Sequence, residues 1–224
     1  MKQPFTTAQF LEVFKSYNTS LWPFQFLFLL FAVIGVFGLI LKPNTYGKPV
    51  MYFLAALWMW MGVVYHGYFF SIINKAAFIF GFFFLLQSFL FLFFTTQRKI
   101  TFEFRNNIKG FTSICIILYA LVLYPVVGAF DGHTYPGVPT FGLPCPTTIF
   151  TFGILLMIKN KIPVYLLLIP LAWSLIGISA ALNLGMIEDF GLIISALLTT
   201  LLLFHRHEKV TYIPKKEIPI NHYP

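Results

Sequence analysis

The sequence predicts an all-α, polytopic transmembrane bundle of about seven spans, with the N-terminus outside, the C-terminus inside and the fifth span broken by prolines. Three observations lead there: an apolar composition, a series of long uncharged runs, and a Lys/Arg bias that alternates from loop to loop. Apolar residues make up 58% of the chain and charged residues 10%, against roughly 45–50% and 25% in soluble domains. Phe alone occupies 29 of the 224 positions. A soluble fold must keep a charged skin wet and has no use for so much apolar surface. The expected surroundings are a lipid bilayer.

The elements follow in chain order. Residues 5–17 read as a short amphipathic helix, with Thr6 or Thr7 as N-cap and Phe10, Leu11 and Phe14 on one side. Such a helix lies along the outer interface. Apolar runs then fall at about 21–41, 50–70, 76–94, 111–130, 141–158, 163–184 and 189–204. Most approach the ~20 residues that cross ~30 Å of hydrocarbon. Apart from Asp189, at a boundary, none contains a charged residue, as expected when one central charge costs about 2.5–3.5 kcal/mol on insertion. The fifth run carries Pro144 and Pro146, so a broken helix with an irregular outer half is expected there. Such backbone is tolerated only under protein or water. Pro125 is expected to kink the fourth span. The expected organisation is an outer interfacial segment at 1–20, a seven-helix transmembrane domain at 21–204 and a basic cytoplasmic tail at 205–224.

Charge sets the orientation. With the N-terminus outside, the inner segments hold 12 Lys and Arg, from Lys42 to Lys216, and the outer ones only Lys2, Lys15 and Lys75. This is the positive-inside pattern, and it points to a bacterial-type inner membrane. The net charge of +8 is thereby explained by topology, and no nucleic-acid partner is expected. Two cysteines, Cys115 and Cys145, are too few for a disulfide framework and fall at opposite faces. The first apolar run is too long for a signal-peptide core, and no cleavable signal is expected.

Four stretches, PFTTAQFLEVFKSYN (4–18), GVVYHGYFFSIINKAA (62–77), GHTYPGVPTFGLPCPTTIFT (132–151) and LAWSLIGISAALNLGMIEDFGL (171–192), resemble an uncharacterised family of bacterial multi-pass inner-membrane proteins, a domain of unknown function. The resemblance implies a polytopic membrane protein. It transfers no catalytic residue.

The reactive polar residues gather at the outer face. His66 lies about one turn inside the second span; Asp131, His133 and Tyr135 follow the fourth; Cys145, Thr147 and Thr148 open the fifth; Glu188 and Asp189 precede the seventh. An ionisable group inside a span is a functional candidate by default, although a neutral His66 bonded to a neighbouring helix is the equal alternative. Cys145, at a helix N-terminus after Pro144, is either an activated thiol or a small residue in a proline turn. His66, His133 and Cys145 form a sensible donor set for a transition metal, but no metal-binding spacing is present. Glu188 and Asp189 either cap the seventh span or attract cations.

Other residues read as structural. Gly177, Ala181 and Gly185 form a small-residue stripe suited to helix packing or to pairing of two copies. Gln87 and Asn183 are expected to bond between helices, and Trp22 and Trp58 to anchor at interfaces. Trp173 and Cys115 are expected in the core. His205 and His207 are read as snorkelling at the inner interface. Two functions fit: an outward-facing polar pocket that binds a metal ion or small cofactor, or a small-solute or ion transporter or channel. An accessory subunit of a membrane complex is the third. No acid–base pair, phosphate loop or nucleophile motif assigns a reaction.

Overall fold

A computed structural model describes residues 4–98 and 100–204, and among these the regular structure is helical apart from two isolated β-bridges. The long uncharged runs become helices because hydrocarbon offers the backbone no hydrogen-bond partner but itself. Helix α1 (Thr7–Ser20) is followed by α2 (Phe24–Leu41) and α3 (Pro43–Trp60). The third helix runs on through a π-helix, Met61–Phe69, and a 3-10 turn, Phe70–Ile72. Next come α4 (Ala77–Gln97), α5 (Ile108–Leu118), a π-helical stretch Tyr119–Leu123, and α6 (Tyr124–Phe130). The last three are α7 (Pro144–Leu156), α8 (Tyr165–Leu184) and α9 (Phe190–Phe204), the last preceded by a 3-10 turn, Ile187–Asp189.

Six of these rods are long and apolar enough to cross a membrane: Phe24–Leu41, Pro43–Ile72, Ala77–Gln97, Ile108–Phe130, Tyr165–Leu184 and Ile187–Phe204. The fifth expected span is different. Helix α7 has 13 residues and covers ~20 Å at 1.5 Å per residue, short of ~30 Å of hydrocarbon. All of its residues but Cys145 are buried. It forms the axis of the bundle, packed by α5, α9, α8 and α3. The sequence pointed to an irregular outer half; irregular backbone in fact completes both ends. Residues 131–143 cover one end, while at the other Phe102 pairs with Ile158 as an antiparallel bridge. Around the bundle, Phe37, Phe82, Phe130 and many other large apolar side chains face outward. That surface suits lipid, not water.

Polar and small residues fix the helix pairs. Trp58 is fully buried, stacks on Phe84 at 4.6 Å and donates to Thr151 Oγ1 at 3.1 Å. It is a core residue and not the interface anchor expected; Trp22 is exposed. Gln87 Nε2 donates to the carbonyl of Leu166 on α8, an interhelical bond as expected. Asn183 instead bonds to Ser179 on its own helix and is exposed. A Cβ on Gly177 would lie 2.4 Å from Leu192, so this part of the stripe is taken up against α9 within the chain. Gly185, at φ +74°, ends α8 in the left-handed conformation that glycine adopts readily. Cys115 faces outward on α5 and does not pack in the core as expected. Pro125 stands directly after a π-helical stretch, where the missing N–H relaxes the fourth rod.

Helix α1 caps one end of the bundle. Thr6 closes its N-terminus with a capping box: Gln9 N–H donates to the Thr6 hydroxyl, and Thr6 N–H donates to Gln9 Oε1 at 2.9 Å. Its face of Phe10, Val13, Phe14 and Tyr17 is buried against the π-helix ring system of Tyr65, Phe69 and Phe70. Trp60 Nε1 donates to Tyr17 Oη at 2.8 Å, and burial pushes the phenol well above its ordinary pKa. The tail at 205–224, with His205 and His207, lies outside the described residues.

Candidate functional site

The end of the bundle under α1 holds Asp131, His133, Cys145, Glu188 and Asp189. Two backbone turns bring the first set together. Helix α6 ends at Phe130, Gly132 takes φ +87°, and His133 N–H returns to the Gly128 carbonyl at 2.8 Å. That turn folds the His133 ring back over the end of α6. From the other side, the 3-10 turn after Gly185 sends in Glu188. A Cβ on Gly128 would stand 3.1 Å from Glu188 Oε1, so the glycine makes room for the carboxyl.

His133 Nδ1 lies 3.1 Å from Glu188 Oε1 and 4.0 Å from Asp131 Oδ2. Donor atoms of Asp131, His133 and Glu188 all lie within 4.8 Å of one another. Glu188 is fully buried and its Oε2 has no hydrogen-bond partner. Asp131 is exposed, giving the cluster one open side. Two donors bonded to one ion at ~2.1 Å across a tetrahedral angle stand about 3.4 Å apart. The His133–Glu188 pair is already near that spacing.

The second set surrounds Asp189. Tyr124 Oη donates to Asp189 Oδ1 at 2.5 Å, and the Cys145 thiol lies against the same carboxyl. Cys145 and Asp189 line a cavity of about 320 Å³, with Trp173, Tyr65 and the α1 rings Phe10 and Phe14. Trp173 is buried as expected, and its indole lies against the Cys145 thiol.

His66 stands apart from both sets. It sits on the π-helix, fully buried, with neither ring nitrogen hydrogen-bonded. Its neighbours are aromatic: Phe84 at 4.6 Å, Tyr65 at 5.0 Å and Trp173 at 5.3 Å between ring centres. Tyr65 and Trp173 stand between it and the cavity as lining residues. The trio that converges is therefore Asp131, His133 and Glu188, and neither His66 nor Cys145 belongs to it. Thr147 serves the fold, accepting from Gly142 N–H at 3.1 Å before the first turn of α7. Thr148 is buried without a partner for its hydroxyl, and Tyr135 is half exposed on the loop.

Two contributors were not singled out for the site. Tyr124 stands before the kinking Pro125, and no spacing ties it to Asp189, 65 positions on. Asn18 donates to the carbonyls of Pro136 at 2.7 Å and Val138 at 2.8 Å, pinning the 131–143 segment to α1. An asparagine late in an amphipathic helix gives no such signal.

Among curated proteins and among solved structures, none matches the chain. A family model described as a family of unknown function (DUF6064) matches residues 7–212, and the chain belongs to that family.

Proposed function

We propose that this is an integral protein of a bacterial-type inner membrane whose outward end, the end under α1, binds a divalent metal ion through Asp131, His133 and Glu188. The observation that carries the reading is the convergence of those three donors around a buried carboxyl with an unpartnered oxygen. A buried carboxyl oxygen without a partner is costly, and a bound cation offsets that cost. One imidazole and two carboxylates suit Zn²⁺ or Mn²⁺. The orientation is supported by the described Lys and Arg: Lys42, Lys48, Arg98, Arg105, Lys109, Lys159 and Lys161 belong to segments at the end away from α1, which the positive-inside rule assigns to the cytoplasm.

The second reading is a small-solute or ion transporter, favoured by the short α7 with irregular backbone at both ends. The cavity under α1 and the cavities at the basic end share no lining residue, which favours binding over passage.

Elemental analysis of detergent-purified protein after growth with supplemented Zn²⁺ and Mn²⁺ tests the metal reading. The wild type is expected to carry near one ion per chain, His133→Ala and Glu188→Gln to lose it, and His66→Ala to keep it. Metal-free wild type, or equal metal in all four proteins, sinks the proposal.

A further inference from the structure

The 320 Å³ cavity beside this cluster has a composition that selects its occupant. Phe5, Phe10, Phe14, Tyr65, Phe70, Phe80 and Trp173 wall it with aromatic rings, and Asp189 places one carboxyl in the same wall. No Lys, Arg or His lines it. Ring faces carry negative potential and attract cations by about 0.5–1 kcal/mol each when exposed and ~2 or more when desolvated. A carboxyl at 1% exposure, held by Tyr124 and facing the Cys145 thiol, adds the counter-charge. An anion would meet the ring faces and the Asp189 carboxyl with no cationic side chain in the lining to offset them, and a bare metal ion would find too few donors.

The cavity also opens toward lipid. Leu175 and Ile176 on its rim are exposed apolar residues of α8. A second hollow of about 460 Å³, almost wholly apolar, lies between α4 and α8 and shares Phe80, Trp173 and Ile176 with the first. An apolar molecule lying between those helices thus reaches the aromatic walls without crossing a polar barrier. The volume falls in the usual range for small-molecule pockets, roughly 300–1,000 Å³.

We propose that this cavity binds a lipophilic cation, an amine or quaternary onium group carried on an apolar body, taken up laterally from the bilayer. The cationic head sits among the rings of Tyr65, Phe70 and Trp173 with Asp189 as counter-ion, and the body extends along the α4–α8 hollow. The roof is α1, whose Phe10 and Phe14 close over the head.

Equilibrium binding of tetraphenylphosphonium to the full chain in detergent tests this, with tetraphenylborate as an anion of the same shape measured separately. The expected result is saturable binding near one cation per chain, at least tenfold tighter than the anion. Asp189→Asn is expected to weaken the cation at least tenfold and Phe14→Leu several-fold. Equal affinity for cation and anion in the wild type overturns the proposal without any variant. So does cation binding that neither substitution changes. His133→Ala, which is expected to empty the metal site, is expected to retain cation binding, so failure of one site is distinguishable from failure of the other.

Discussion

Glu188 and Asp189 leave one 3-10 turn toward different partners: Glu188 meets His133 at 3.1 Å, while Asp189 accepts from Tyr124 at 2.5 Å. Neighbours on a tight turn point in well-separated directions, so two adjacent carboxyls serve two sites. One faces the loop cluster and the other the aromatic cavity. The turn is held from behind, where Tyr119 Oη donates to the Glu188 carbonyl at 2.8 Å. Tyr119 opens the π-helical stretch of the fourth rod and Tyr124 follows it, and both hydroxyls reach this turn.

The Tyr124–Asp189 bond makes a measurable difference to stability. Tyr124→Phe leaves a fully buried carboxyl short of a donor, and such a loss costs about 1–3 kcal/mol, more for a charged group. Tyr119→Phe removes a partly buried bond to a backbone carbonyl and is expected to cost about 1 kcal/mol or less. Thermal unfolding of both variants in the same detergent checks the order. Equal melting temperatures for the two would show that Asp189 does not depend on Tyr124.

Glycine contacts between the π-helix Met61–Phe69 and α4 give a second prediction. A Cβ on Gly81 would stand 2.8 Å from the Gly62 carbonyl oxygen, and one on Gly62 would stand 2.9 Å from the Gly81 oxygen. Backbone cannot retreat as a flexible side chain does, so Gly81→Ala and Gly62→Ala are each expected to destabilise by about 1–3 kcal/mol. Gly67, on the same π-helix, meets only ordinary contact at 3.5 Å, and Gly67→Ala is expected to be close to neutral. Melting temperatures of the three variants, taken together, separate close packing from a general intolerance of alanine on this helix.

Much of the helical plan was legible because hydrophobic runs and proline act locally. The long runs, the Thr6 cap and the disturbance at Pro125 all follow from side chains acting within a turn or two of their own position. What was not legible depends on rotation and distance. Trp58 and Trp22 read alike in sequence, yet one faces α7 and the other faces outward. Cys115 is a single step of 100° from the buried Ile116. A short helix buried on every side shows the same apolar run as a broken span, so the central place of α7 was hidden. The Asp131–His133–Glu188 cluster joins residues 55 positions apart through two turns, and no spacing announces it.

Asn18 ties α1 to the loop that carries His133. Its Nδ2 satisfies two backbone carbonyls, and its Oδ1 accepts from Thr140 Oγ1 at 2.7 Å. Asn18→Leu fills similar space but orphans these buried groups at about 1–3 kcal/mol each. The expected outcome is faster hydrogen exchange over α1 and residues 131–143, with α3 and α4 unchanged. Uniform loosening of the whole chain, or no change, would mean that α1 is not held at this point.

At the basic end, Glu103 provides a pH test. Its carboxylate accepts from Arg105 Nε at 2.8 Å and lies 3.5 Å from Lys159 Nζ, and the Arg105 bond, with the two cations, holds its pKa below the usual glutamate value. A carboxyl with a lowered folded pKa contributes stability that is present above its unfolded value of roughly 4.3 and is lost as pH falls through the folded value. The ion pair joins the 100–105 segment to Lys159, beside the isolated β-bridge of Phe102 and Ile158. Acidification from pH 6 to below pH 4 is therefore expected to speed hydrogen exchange at Glu103 N–H, bonded to Met157, and Lys159 N–H, bonded to Thr101, beyond the intrinsic change. In Glu103→Gln the same amides are expected to exchange faster at pH 6 and to show no further loosening in acid. The pair is exposed and screened by salt, so the effect is local and shrinks at high ionic strength. An acid response that survives in Glu103→Gln would place the titrating group elsewhere.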